Sequence, residues 1–203
     1  CIARNVPYVI VGGVNFYQRK EIKDMLSYMR VIANSVDDLA CRRIINIPKR
    51  GIGQTSIDRV QAFASQNNIS FYDALLRTEN IPGIGSAGKK IRGFTALIEG
   101  LRDRLRSGDM SIRSLIEAIG EESGYNDELK KEDPVTAETR LENIEELINK
   151  SVSFEEDRNE QIAAANAGTM AATKADAYYA VSADTIGSGH YADEANNNAE
   201  GFI

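Results

Sequence analysis

The chain has 203 residues, 42% apolar and 27% charged, enough for one or two packed cores and ordinary for a globular protein. Its 24 basic against 30 acidic residues leave a net charge of −6, which taken alone argues against a nucleic-acid partner. No apolar run approaches the roughly 20 residues that a bilayer span needs, and two cysteines with one histidine exclude a four-ligand zinc centre of the usual kind.

The total charge conceals an asymmetry. Residues 1–110 hold 17 Lys and Arg against 10 Asp and Glu, a balance of +7, while residues 111–203 hold 7 against 20, a balance of −13. Binding follows the local field rather than the total, so the first half keeps nucleic acid open as a partner. The opening Cys1-Ile2-Ala3-Arg4-Asn5 lacks the parts of a secretory signal and there is no initiator methionine. The expectation is a piece of a longer cytoplasmic chain, with Cys1 and Cys41 reduced rather than bridged.

In chain order, Val6-Pro7-Tyr8-Val9-Ile10-Val11 before Gly12-Gly13 predicts a strand buried on both faces. Ile22, Met25, Leu26, Met29 and Ile32 then recur at helical spacing over residues 19–32. Strand and helix together suggest part of an α/β layer. From Val36 onward the pattern is helical. Asp37 or Asp38 caps a short helix through Ile45; Gln54-Thr55 opens another with Ile57, Val60, Phe63 and Ala64 on one side. Ser70 precedes a short helix over 71–76, and Ser86 or Gly88 opens a long one striped by Ile91, Phe94, Ile98, Leu101 and Leu105. A helix with Ile112, Leu115, Ile116 and Ile119 is expected to stop at Gly120, and residues 139–150 carry Leu141, Ile144, Leu147 and Ile148. Residues 161–203 hold 13 alanines and one basic residue, Lys174. A helix over 161–177 is expected on propensity, and the rest is left unassigned.

Two glycine-punctuated turns stand out in the basic half. Ile47-Pro48-Lys49-Arg50-Gly51-Ile52-Gly53-Gln54-Thr55 ends one helix and starts the next, and Ile81-Pro82-Gly83-Ile84-Gly85-Ser86-Ala87-Gly88-Lys89-Lys90 repeats the arrangement. Glycine lets backbone approach a phosphate closely, and a new helix offers unpaired N–H groups at its positive end. Lys49, Arg50, Lys89 and Lys90 add charge, and Thr55 adds a hydroxyl. The second turn looks like a helix-hairpin-helix, which holds the duplex backbone without reading sequence. The bland alternative for each turn is a plain helix–helix connection using glycine as a cap. Neither is a phosphate-binding P-loop, because GxxxxGK[ST] is absent. The pairs Asp37-Asp38, Glu121-Glu122 and Glu145-Glu146 diverge by about 100° on a helix and read as caps or solvated faces. His190 has no identifiable partner and receives no role.

Asn5-Val6-Pro7-Tyr8, Gly12-Gly13 with Phe16 and Arg19, Glu21-Ile22-Lys23-Asp24, Tyr28-Met29-Arg30, Ala33-Asn34, Asp37-Asp38, and the run from Arg43 to Gly53 resemble the superfamily 1 DNA helicases of the UvrD/PcrA/Rep type. Arg140-Leu141-Glu142-Asn143-Ile144-Glu145-Glu146-Leu147 is similar to a later helical signature of that family, so the resemblance covers about three quarters of the chain. It implies a mainly α piece: an edge of the second RecA-like motor domain (2A) at 1–36, a strand-helix fragment of an α/β fold; a helical 2B-type DNA-binding subdomain at 37–157; and an Ala/Asn/Gly-rich tail at 158–203. The family's Thr-x-His-x-Ala-Lys-Gly-Leu-Glu segment finds no match in 157–203, and its phosphate loop and Asp-Glu magnesium motif are absent.

The resulting expectation is part of an ATP-dependent 3′-to-5′ DNA helicase that grips duplex DNA by its backbone and regulates unwinding. The expected contacts are Lys49, Arg50, Gly51, Ile52, Gly53, Thr55, Gly83, Gly85, Lys89 and Lys90. No catalytic, metal or cofactor residue is expected in the piece itself, which should not hydrolyse ATP alone; ATP and magnesium belong to the parent. Expected partners are duplex DNA and single/double-strand junctions, the rest of the motor, and repair or replication proteins, without a membrane, in the bacterial cytoplasm at the nucleoid. The alternative is a helical protein–protein interaction module of the same motor.

Overall fold

The computed structural model describes the backbone of residues 16–166 and the side chains of residues 16–159. The strand expected at 6–11, most of the alanine-rich helix expected at 161–177, and His190 lie outside them. Among the described residues the regular structure is helical throughout: α1 (Lys20–Ala33), α2 (Asp38–Ile44), α3 (Gln54–Asn67), α4 (Phe71–Leu76), a 3₁₀ turn (Thr78–Asn80), α5 (Ala87–Ser107), α6 (Ile112–Glu122), α7 (Tyr125–Glu132) and α8 (Pro134–Asn166).

The first helix organises the rest. Its stripe of Ile22, Met25, Met29 and Ile32 is buried as the spacing predicts, but Tyr28 and Val31 are buried as well. A helix buried on most of its circumference must sit inside a bundle, and α2, α5, α6 and α8 pack around it. Among the described residues that helix is the centre of a helical core, and the strand expected beside it lies outside them. The boundary expected at residue 36 falls between α1 and α2, whose buried residues belong to one continuous hydrophobic cluster.

Burying α1 also buries two carboxylates, and both have partners. Asp24, fully buried, accepts from Arg43 Nε at 2.7 Å and from the Tyr125 hydroxyl at 2.8 Å. Glu21 accepts from Asn143 Nδ2 at 2.6 Å and lies 3.6 Å from Arg140 Nε. At the far end the buried Arg102 of α5 donates to the carbonyls of Val31 (2.8 Å) and Ile32 (3.0 Å), filling acceptors that the end of α1 leaves open. Its guanidinium sits 5.1 Å from the Tyr72 ring centre and pairs with Glu99.

Caps follow the sequence closely. Asp37 accepts from Ala40 N–H, Ser70 from Asp73 N–H and Ser111 from Ser114 N–H. One boundary differs. The helix expected to stop at Gly120 continues to Glu122, and the left-handed residue that follows it is Gly124, at φ +78°. Gly120 lies buried within α6, where a Cβ would come 2.7 Å from the Asn126 side chain; close approach, rather than termination, explains the glycine. The final helix also extends well beyond 139–150, starting on Pro134, which suits a first helical position.

Candidate nucleic-acid interface

The first glycine loop joins α2 to α3 and is held from within. The Asn46 side-chain carbonyl accepts from the amides of Arg50 (2.8 Å) and Ile52 (3.2 Å), curling the loop around itself. The Ile52 side chain is 2% exposed and anchors the loop in the core. Arg50 turns inward: Nη1 donates to the carbonyls of Ile44, Ile45, Ile47 and Pro48 at 3.0–3.3 Å, and Nη2 to the Tyr28 hydroxyl at 2.6 Å. Its guanidinium also lies 5.1 Å from the Phe94 ring centre. Arg50 and Ile52, both expected at the DNA contact, thus shape the loop by filling its interior. The Lys49 amide is taken by Glu128 of α7, at 2.7 Å.

The second loop joins the 3₁₀ turn to α5. Its middle amide, Ile84, is directed at the Ile81 carbonyl (3.4 Å), and Ile81 is buried. Gly51 and Gly83 occupy equivalent places in the two loops, at φ +68° and +70°, conformations in which a side chain is strained. The loops are adjacent in space. Lys90, in the first turn of α5, donates to the Gly51 carbonyl at 2.8 Å, and Arg59 of α3 donates to the Gly83 carbonyl.

What remains is a set of unfilled donors. The amides of Gly51, Gly53, Gln54 and Thr55, and of Gly83, Gly85, Ser86 and Ala87, have no hydrogen-bond partner among the described residues. Whereas α2, α4 and α6 fill their first-turn amides with a capping side chain, α3 begins on Gly53 and α5 on Ser86 without one. Uncapped helix N-termini carry partial positive charge and suit an anion. Gly53, Thr55, Gly85, Lys49 and Lys89 are exposed, and a Cβ at Gly53 or Gly85 would meet nothing within 4 Å. Lys49 and Lys89 form no ion pair among the described residues. Sequence reasoning missed Asn46 and Arg59, which stand close to the first loop in sequence but whose side-chain directions only the fold sets, and Glu128, which lies 79 residues from Lys49.

Elsewhere the chemistry is sparse. A cleft of about 480 Å³ beside the first loop is lined by Pro48, Lys49, Gly124, Asp127, Glu128, Lys131 and Glu132, with charges of both signs. Lys20 and Arg140 hold the Glu132 carboxyl below its usual range, while burial pushes the Cys41 thiol up and keeps it protonated. No group of three or more metal-ligating side chains occurs among the described residues. Among those residues neither glycine loop is followed by Lys-Ser/Thr, while Asp127, Glu128 and Glu132 line the cleft beside the first loop. Among the described residues, no helix is long and apolar enough to cross a membrane.

The family described as the UvrD-like helicase C-terminal domain matches residues 2–175. The ATP-dependent DNA helicase PcrA of Staphylococcus epidermidis is 42% identical over 153 residues, 75% of this chain and 21% of the relative. PcrA of Staphylococcus aureus is 42% identical over 152 residues, 75% of this chain and 20% of that protein. The chain therefore spans about a fifth of the length of these curated relatives. With more than half of its residues matched, and in agreement with the resemblance read from residues 5–53 and 140–147, the chain belongs to the UvrD-like helicase C-terminal domain family, of the superfamily 1 UvrD/PcrA type.

Proposed function

We propose that this chain is the duplex-gripping, 2B-type part of an ATP-dependent 3′-to-5′ DNA helicase, holding double-stranded DNA near a junction by its sugar–phosphate backbone and so regulating unwinding. One observation carries the reading: two neighbouring loops each present unfilled amides at an uncapped helix N-terminus, beside the free ammonium groups of Lys49 and Lys89. Main-chain donors and lysines contact phosphates without reading bases. The printed name of the relatives, ATP-dependent DNA helicase, supports DNA as the ligand. In this reading ATP and magnesium are bound by other parts of the parent, which works in the bacterial cytoplasm alongside the remaining motor and repair or replication proteins.

Equilibrium binding to a short duplex, measured against salt and across unrelated sequences, tests it. Affinity is expected to be indifferent to sequence and to fall with salt, at a log–log slope of about −2 if Lys49 and Lys89 are the paired cations. Gly53→Asp supplies the control. Gly53 is the N-cap of α3 at an ordinary φ of −76°, so aspartate there improves the cap by a few tenths of a kcal/mol while placing a negative charge where the phosphate sits. Expected are an unchanged or raised thermal midpoint and at least a tenfold loss of duplex affinity. Unaltered binding in that variant sinks the proposal and leaves the same helical surface as a protein-docking module.

A further inference from the structure

The two loops repeat one internal pattern. In each, the peptide after the first glycine is satisfied at both ends. The Ile52 N–H goes to Asn46 and the Gly51 carbonyl to Lys90; the Ile84 N–H goes to the Ile81 carbonyl and the Gly83 carbonyl to Arg59. In each, the next amide, that of Gly53 or Gly85, is left open beside empty space. The gripping cations cross over. Lys90 belongs to the helix that follows the second loop and holds the first, while Arg59 belongs to the helix that follows the first loop and holds the second.

The contacts are close. A Cβ on Gly51 would stand 2.7 Å from the Lys90 ammonium nitrogen, and one on Gly83 would stand 3.3 Å from the Arg59 guanidinium carbon. Both cations lie on the carbonyl side of the loop. A carbonyl held by a cation fixes its own peptide plane, so the open amide one residue further on keeps only the φ and ψ of Ile52 or Ile84 to vary, and the buried Ile52 side chain restricts those of the first loop.

We propose that Lys90 and Arg59 are positioning residues, a crossed clasp that locks the two glycine loops into one rigid two-loop phosphate cradle. This rests on the reading of the loops as a duplex-backbone surface, and it assigns these cations a role other than that of phosphate ligands. Both lysines are exposed, but the ammonium of Lys90 is engaged by Gly51 while that of Lys89 has no ion pair among the described residues.

The test is a pair of variants, Lys90→Met and Arg59→Met, in the full chain, followed by amide NMR with and without a short duplex. In the free protein Lys90→Met is expected to raise backbone mobility at residues 51–53 and leave 83–85 unchanged; Arg59→Met is expected to do the reverse. With duplex present, the binding shift at the Gly53 amide is expected to be lost in Lys90→Met and retained at Gly85, again reversed for Arg59→Met. Affinity is expected to fall about three- to tenfold, with the salt slope preserved. Deletion of a direct phosphate ligand instead lowers the slope by about one. Mobility confined to the loop preceding the mutated helix, or no change at either loop, overturns the clasp whatever the DNA does. A slope reduced by one in Lys90→Met restores that residue as a ligand and likewise overturns it. Failure of the wild-type chain to shift any loop amide on duplex addition refutes the functional reading separately, and with it the cradle.

Discussion

Asp24 shows how strictly polar groups in this core are constrained. Its carboxylate has no access to water, and two donors from different helices, Arg43 on α2 and Tyr125 on α7, replace it. A buried acceptor left short of a donor costs more than the bond contributed. Tyr125→Phe is therefore expected to destabilise the protein by about 1.5–3 kcal/mol, since the lost donor served a charged group. Arg43→Met is expected to cost about 2–4 kcal/mol, below the full value of a buried broken pair because the arginine side chain is about one third exposed. Urea unfolding with an unchanged m-value measures both. If Tyr125→Phe costs nothing, the carboxylate is reached by water and the packing of α7 over α1 is looser than described.

The junction of α6 and α7 sets intrinsic preference against packing. Alanine in a helix interior is favoured over glycine by about 1 kcal/mol, yet a Cβ at Gly120 would press on the Asn126 amide, whose Oδ1 is buried without a hydrogen-bond partner. Gly120→Ala alone is expected to be neutral to destabilising. Combined with Asn126→Ala, which removes both the overlap and the orphaned oxygen, it is expected to gain about 1 kcal/mol, read as a raised thermal midpoint. A double variant no better than the single one would mean that the asparagine makes room unaided. The same junction marks where sequence stops being a guide to the elements. Most helices were legible because apolar spacing and a capping residue agree, as at Asp37 and Ser70. Gly120 misled because a glycine needed for close approach looks like a glycine that ends a helix. Helix α7 went unannounced, since Lys, Asp and Glu dominate it and only Tyr125 and Leu129 are buried.

Across the whole molecule, the two glycine loops singled out from sequence lie side by side, and what sequence did not show is how they are supported. The glycine spacing and the local basic excess pointed to the loops, but two of the side chains chosen as contacts, Arg50 and Ile52, are inward-facing supports. Charge next to a glycine turn does not say which way a guanidinium points; the carbonyls at the end of α2 and the Tyr28 hydroxyl decide it. That hydroxyl belongs to a set which makes the fold sensitive to alkali. Tyr28, Tyr72 and Tyr125 all hold their protons more tightly than a free phenol. Burial is the main cause in each. Arg50 partly opposes it at Tyr28, while Glu99 reinforces it at Tyr72 and Asp24 at Tyr125. Burial raises Cys41 likewise. In the unfolded chain these groups ionise from about pH 8.5 for the thiol and about pH 10 for the phenols. The native state keeps its protons there, so the stability they contribute is complete below those values and is lost as pH rises towards the folded ones. Between its unfolded and folded values each group contributes a slope of about 1.4 kcal/mol per pH unit, so four together reach about 5.6. A domain of ordinary stability, about 5–15 kcal/mol, is then expected to unfold in alkali above about pH 10. Helix circular dichroism and phenolate absorbance followed together check this: for the three buried tyrosines the absorbance should rise only as the helices melt. Their ionisation near pH 10 with helicity intact would show that solvent reaches the ring hydroxyls around α1 in the native state.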